Sequence, residues 1–177
     1  MESAPRSETE RLVFRRACAE DVEEMARIEV ASFPSPWPVS ALWAEISRED
    51  GIAYYTVARR GGVLVGYAGM WYVAGEGHIL TLAVAPAHRR QGIGERVLVR
   101  LIDEVAQRGG DRVYLEYRVS NLPARRLYDK YGFRYVHTRT GYYRDTGEDA
   151  IVVALEDLPS LRLTGQLAAW KRALELD

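Results

Sequence analysis

The stretch "HILTLAVAPAHRRQGIGERVLVRLIDEVAQRGGDRVYLEYRV", His78 to Val119, constrains the fold of this chain more than any other. It begins with a continuous apolar run, the pattern of a strand buried on both faces. At Gly92 the period changes. Ile93, Val97, Leu98, Leu101, Ile102 and Val105 recur at the spacing of one helical face, and Gly109-Gly110 ends the helix. "RVYLEYRV" then reads as a second strand. A strand, helix and strand joined this closely cross over right-handed, with the two strands parallel. An α/β sheet follows from this segment alone.

The flanking sequence supplies the other elements. "RLVFRRA" reads as a first strand, and "AEDVEEMARIEVASF" as a helix with Val22, Met25, Ile28, Glu29 and Phe33 on one face. "PSPWP" cannot continue that helix, and "VSALWAEISRED" reads as a second, short one. "IAYYTVARR" and "VLVGYAGMWYV" form a hairpin across Gly61-Gly62. After the central unit come a helix in "NLPARRLYDKYGF", stopped by Gly132, and a closing hairpin of "RYVHTRTGYY" and "DAIVVALEDL". The order β-α-α-β-β-β-α-β-α-β-β predicts a mixed, mostly antiparallel central sheet with helices on both faces. Residues 1–10 have the composition of a disordered leader, and residues 11–158 read as one domain. Residues 159–177 add a C-terminal amphipathic helix with Leu163, Leu167, Trp170 and Leu174 in one stripe. That helix is expected to dock on its own domain, with a dimer or partner surface as the alternative.

Composition removes several function classes. A single cysteine, Cys18, excludes intrachain disulfides and four-cysteine zinc sites. The three histidines lack metal-ligand spacing, so no metal is expected. A net charge of −1 provides no overall basic field for nucleic acid. The first ten residues have no apolar signal core, and "ILTLAVAPA" is too short to span a bilayer. The expectation is a cytoplasmic protein with neither nucleic acid nor membrane as partner.

The turn "HRRQGIGERV" joins the end of a buried strand to a helix N-terminus, the place where open α/β sheets bind ligands. The first N–H groups of that helix lack intrahelical partners, and the helix dipole favours an anion there. Gly92 and Gly94 let backbone approach such an anion, and Arg89 and Arg90 add charge. Position 97 is Val, so the third glycine of a dinucleotide fingerprint is missing. Glu95-Arg96 stands where a P-loop requires Lys-Ser/Thr. Two glycines alone fit a plain structural turn as well.

The spacing Arg89-x-x-Gly92-x-Gly94 resembles the acetyl-CoA pyrophosphate loop of the GNAT superfamily of N-acetyltransferases. "YLEYRVSNLPARRLYDKYGF", "GYYRDTGEDAIVVAL" and "SFPSPWPVS" are most similar to its ribosomal-protein-alanine N-acetyltransferase branch, and the likeness covers roughly residues 11–158. The resemblance implies a GNAT-like fold, with acetyl-CoA as cosubstrate and the N-terminal amine of a protein as acceptor, an Ala-initiated ribosomal protein in that branch. It implies that Leu82, Ala83 and Val84 present backbone to the pantetheine arm. Arg89, Arg90, Gln91, Gly92, Ile93, Gly94 and Glu95 would surround the pyrophosphate. Glu116 matches the family's general base and Tyr128 its general acid, with Tyr131 a nearby decoy. Asn121 matches a cofactor-contacting asparagine, although it also suits a helix N-cap. By analogy Trp37, Tyr142 and Tyr143 would flank the acceptor groove. The two tyrosines alternate faces on a strand, so at most one points inward.

Residue chemistry stands beside the resemblance. Glu116 on a covered strand must pair with an arginine such as Arg118, meet water or line a cleft. An α-amine, with pKa about 7.7–8.0, needs less help from a base than a lysine near 10.4. No cysteine lies in the motifs, so direct attack on the thioester is expected. Acetylation of a small-molecule amine or of lysine, and a catalytically silent acyl-CoA-binding module, are the alternative readings.

Overall fold

The Gly61-Gly62 turn joins β2 (Ala53–Arg60) to β3 (Val63–Val73), and both glycines take positive φ, 56° and 80°. A two-residue hairpin turn matched to the twist of its strands requires that conformation. In this computed structural model, which describes residues 11–176, the remaining strands are β1 (Leu12–Arg16), β4 (Glu76–Val84), β5 (Arg112–Arg118), β6 (Arg134–Tyr143) and β7 (Glu148–Glu156). The helices are α1 (Val22–Ser32), α2 (Val39–Ile46), α3 (Ile93–Gln107), α4 (Leu122–Lys130) and α5 (Leu161–Ala173). The leader expected at residues 1–10 lies outside the described residues.

One seven-stranded sheet runs in the order β1-β2-β3-β4-β5-β7-β6. Only β4 and β5, the pair bracketing α3, are parallel. This is the mixed, mostly antiparallel sheet that the sequence predicts. The apolar stripe of α3 is buried against β2, β3 and β4, in one cluster with Tyr128 and Phe133 at the end of α4 and with Leu163, Leu167 and Leu174. The stripe of α5 therefore docks on its own domain, and Trp170 packs edge-on to Tyr131 at 4.9 Å. On the other face, α1 and α2 bury Val22, Met25, Ile28 and Leu42 against β2, β3 and β4. Among the described residues that second cluster takes in nothing from β5, β6 or β7, so this part of the sheet keeps one face open.

The sheet is interrupted where it matters for ligand binding. Gly69 of β3 pairs with Thr81 and Met70 with Ile79, so Leu80 is an extra residue without a partner on β3. A bulge of this kind bends a strand and re-aims its side chains. Before it, Ile79 faces α3. After it, Leu82 and Val84 face α3, whereas Ala83 joins the α1–α2 cluster. The pairing of β4 with β5 also stops here: Ile79 opposite Leu115 is the last pair. β4 continues to Val84 beside β3 alone, and β5 continues to Arg118 beside β7 alone. The strands part, leaving the end of β4 beyond the bulge without a β5 partner.

The corner of β1, β2 and α1 is held by charge. Asp21 has no exposed side-chain surface and accepts two hydrogen bonds from Arg15 (2.6 and 2.7 Å) and one from Arg59 (2.7 Å). Arg59 also reaches Glu24 of α1, whose other oxygen accepts from the Leu64 amide. Burial works to raise the Asp21 pKa, and the hydrogen bonds from Arg15, Arg59 and the Cys18 amide override it, holding it far below the usual carboxylate range. Its stabilisation is thus fully present above the unfolded-state pKa of about 3.9 and is lost as pH falls from there toward the folded value. Asp21→Asn is expected to cost roughly 2–3 kcal/mol at pH 7. The gap from the parent should close progressively below about pH 4, which urea unfolding as a function of pH would measure.

Candidate active site

The turn after β4 forms a short 3-10 segment at Pro86–His88 and then brings two left-handed residues close together, Arg90 (φ 63°) and Gly92 (φ 73°). Left-handed residues set among right-handed ones make successive N–H groups converge, a concavity suited to anions. Gly92 is the N-cap residue of α3. A Cβ there would be strained and would meet the Arg96 guanidinium at 2.7 Å. At Gly94 a Cβ would make only ordinary contacts with Val84, Leu82 and Leu127, at 3.7–4.0 Å. The protein's own packing does not demand that glycine; it keeps open the space between the end of β4 and α4. A phosphate-bearing group with an extended arm fits such a cradle.

The side chains of this turn are largely occupied. Arg89 donates to the Val84 carbonyl and to Ser32 Oγ, each at 3.1 Å. Gln91 accepts from Arg60, and Glu95 accepts from Lys130 at 2.8 Å. Ile93 is buried in the core beneath α3. Arg90 keeps an exposed guanidinium with no partner among the described residues, so the turn offers a ligand backbone N–H together with that free charge.

Glu116 is the first residue of β5 beyond its last pair with β4, on the face that α1 and α2 leave open. Its side chain is 7% exposed. His78 pairs with Tyr114 in the sheet register, so it lies diagonal to Glu116. Diagonal neighbours across a pair are within reach of long side chains, and His78 Nε2 lies 2.6 Å from Glu116 Oε2. A carboxylate only accepts, so Nε2 carries the proton. Stacking on Tyr114 fixes the imidazole, with ring centroids 4.4 Å apart and planes 9° from parallel. Arg118, one candidate partner for Glu116, instead pairs with Asp145 at 2.7 Å and with Glu148. The cation near Glu116 is Arg139 of β6, whose Nη1 lies 3.1 Å from Oε1 but is not aligned to donate to it. Oε1 is thus buried, close to positive charge and without a hydrogen bond among the described residues. Burial pushes the Glu116 pKa up. The His78 hydrogen bond and the charges of His78, Arg139 and His137 outweigh it and hold the group below the ordinary value.

The two tyrosines of α4 and its end have different surroundings. Tyr131 donates to Glu95 at 3.3 Å and packs on Trp170. Tyr128 lies between Tyr117 and Phe133, each at 5.6 Å, and its hydroxyl has no hydrogen bond among the described residues. Burial drives its pKa well above that of a free phenol, so it remains an O–H donor. Asn121 caps α4, its side chain accepting from the Ala124 amide at 3.1 Å, which leaves its NH₂ free to donate. On the acceptor side the Trp37 amide is held by Glu29. Ser35 donates to Asp145 at 3.0 Å, joining the loop after α1 to the β6–β7 turn. Tyr143 lies half-buried beneath Arg118 (3.9 Å), while Tyr142 is exposed and edge-on to it.

Sequence reasoning missed His78, Arg139 and the environment of Glu29. His78 was legible only as a histidine on an apolar strand; its pairing depends on the β4–β5 register. Arg139 reaches Glu116 across β7, a contact between residues far apart in the chain. No local spacing records either.

Two parallel strands that part, with a turn of positive-φ residues after the first and a buried carboxylate on the second, are compatible with an acyltransferase that uses coenzyme A thioesters. Comparison with known proteins agrees. The model of the Acetyltransferase (GNAT) family matches residues 22–133, and the chain belongs to that family, whose members use acetyl-CoA. It is 37% identical over 150 residues to the N-alpha-acetyltransferase RimI of Mycobacterium tuberculosis, covering 81% of this chain and 92% of that one. It is 30% identical over 167 residues to an N-alpha-acetyltransferase of Saccharolobus solfataricus, covering 87% and 98%. The crystal structure of the ribosomal-protein alanine N-acetyltransferase of Escherichia coli superposes with a TM-score of 0.77 at 30% identity, covering 83% and 94%.

The depressed Glu116 pKa has a direct test. Arg139→Gln and His78→Gln each remove an interaction that favours the carboxylate, so each should raise that pKa, and the double variant should raise it further. Carboxyl ¹³C shifts of Glu116 followed against pH would read the change.

Proposed function

We propose that this chain transfers the acetyl group of acetyl-CoA to the α-amino group of a protein N-terminus, with an Ala-initiated ribosomal protein as its substrate in the cytoplasm. The observation that carries this reading is Glu116 Oε1, which lies just past the point where β4 and β5 part, close to Arg139 and without a hydrogen bond among the described residues. The names of the relatives support the same acceptor class.

On this reading the end of β4 at Leu82, Ala83 and Val84, which has no β5 partner, holds the amide-bearing arm of acetyl-CoA as a further strand would be held, although Arg89 already bonds the Val84 carbonyl. The N–H groups from Arg90 to Glu95 hold its pyrophosphate, and Asn121 donates from its free amide. The cosubstrate supplies an activated thioester. Trp37 and Tyr143 wall the acceptor side and bring the amine to the open face beside Glu116. Glu116 accepts a proton from the attacking nitrogen as the N–C bond forms. Tyr128 donates its O–H to the departing sulfur as the C–S bond breaks. A thiol near 8.5 is more acidic than this phenol, so Tyr128 stabilises the thiolate chiefly by a hydrogen bond.

The state of Glu116 also bears on the choice of amine. A carboxylate held below its ordinary pKa is a weak base, adequate for an α-amine near 7.7–8.0 and poorly matched to a lysine near 10.4. Acetylation of an Ala-initiated peptide should therefore rise with pH and level off at about 8 in kcat/KM, reporting the acceptor's own deprotonation. Glu116→Gln is expected to lower kcat by about 10²-fold or more, with the KM for acetyl-CoA little changed. Tyr128→Phe should lower kcat by a smaller factor. Mass spectrometry of peptides varied at their first two residues provides the assay. Acetylation of a polyamine or of lysine side chains, with no gain on the α-amine, would overturn the reading.

A further inference from the structure

Glu29 of α1 has no part in the chemistry above, yet it is 1% exposed and lies among Met25, Leu42, Tyr55 and Tyr67. Among the described residues it forms no ion pair. Three donors serve it instead: Tyr67 Oη and Thr81 Oγ1 (3.0 Å) on Oε1, and the Trp37 backbone N–H (3.0 Å) on Oε2. A buried carboxylate without a cation is costly, and α1 fills neighbouring core positions with Val22, Met25 and Ile28. A leucine here would bury as well. What it could not do is bond two elements at once.

The elements it bonds are the informative part. Thr81 directly follows the bulge residue Leu80 and directly precedes Leu82–Val84, the strand end offered to acetyl-CoA. Trp37 lies in "PSPWP", where Pro34, Pro36 and Pro38 carry no N–H. Of residues 34–38 only Ser35 and Trp37 have an amide to give, so the Trp37 N–H is one of very few handles by which the loop can be fixed.

We infer that Glu29 is a positioning residue for the acceptor site: its carboxylate fixes the Trp37 loop to the end of β4 and so sets the acceptor wall against the thioester. The inference rests on the reading that this loop flanks the acceptor groove. Glu29→Gln keeps the shape but places an NH₂ where an acceptor is needed. The full-length variant should show the KM for an Ala-initiated peptide raised at least fivefold, with the KM for acetyl-CoA and kcat within twofold. A residue serving stability alone would not split KM from kcat in this way. Amide hydrogen exchange gives a second readout that needs no turnover. The Trp37 amide should exchange at least tenfold faster in Glu29→Gln, while amides in the middle of α3 keep their protection. If Glu29→Gln does not fold, Thr81→Val, which removes one donor at constant volume, should raise the peptide KM about threefold in the same pattern. Unchanged Trp37 exchange, or KM and kcat falling together, overturns the inference. Faster Trp37 exchange in a protein that acetylates no peptide N-terminus would overturn the acceptor assignment and leave the anchoring intact.

Discussion

The site depends on one irregularity, the extra residue Leu80 in β4. Without it, Thr81 and Ala83 would continue on the face of Ile79, and β4 would keep its alternation to the end. With it, Leu82 and Val84 face α3 and α4, and Thr81 turns toward α1. At the same point β4 leaves β5 and runs on to Val84 without a strand partner on that side. A strand edge inside a sheet is ordinarily a defect; on the proposed reading it gives an extended, amide-bearing ligand something to pair with.

The electrostatics of the cleft follow from its position. Helices α1 and α2 cover only β2 to β4, so Glu116 lies at the boundary between a covered and an open face. Its neighbours His78, His137 and Arg139 come from strands on both sides of β5, and together they keep the carboxylate ionised despite burial. On the proposed reading, that suits a group that accepts a proton at neutral pH from an easily deprotonated amine. Tyr128 has the opposite environment. Aromatic rings surround it, burial raises its pKa, and its proton stays available. The two groups thus sit in opposite environments, one held ionised and the other held protonated.

A second level of organisation holds the walls in place. Glu29 links the Trp37 loop to β4, and Ser35 links the same loop to the β6–β7 turn through Asp145, which also holds Arg118 over Tyr143. The C-terminal helix serves the other end. Arg96 donates to the Leu174 carbonyl at 3.1 Å and to the Gly92 carbonyl at 3.3 Å, and Trp170 packs on the Tyr131 that holds Glu95. The turn between β4 and α3 is therefore supported by a segment outside the residues that match the family model.

The sequence by itself determined the elements and the order of the fold. Periods of 2 and 3.6, the glycine pairs and the prolines are local signals, and they locate the hairpin at Gly61-Gly62, the amphipathic α3 and the parallel β4–β5 pair around it. The resemblance of its motifs to a known family likewise singled out Gly92, Glu116, Asn121 and Tyr128. Only the tertiary structure decided what those residues meet. The partner of Glu116 is His78, with Arg139 beside it, rather than Arg118, because strand register and strand order bring together residues distant in the chain. The bulge at Leu80 leaves no mark in an apolar run whose residues are all acceptable on either face. The docking of α5, open as a choice in its apolar stripe, was decided by the matching surface that α3 and α4 present. Local backbone preference is written along the chain; contact across the sheet depends on how the strands pair.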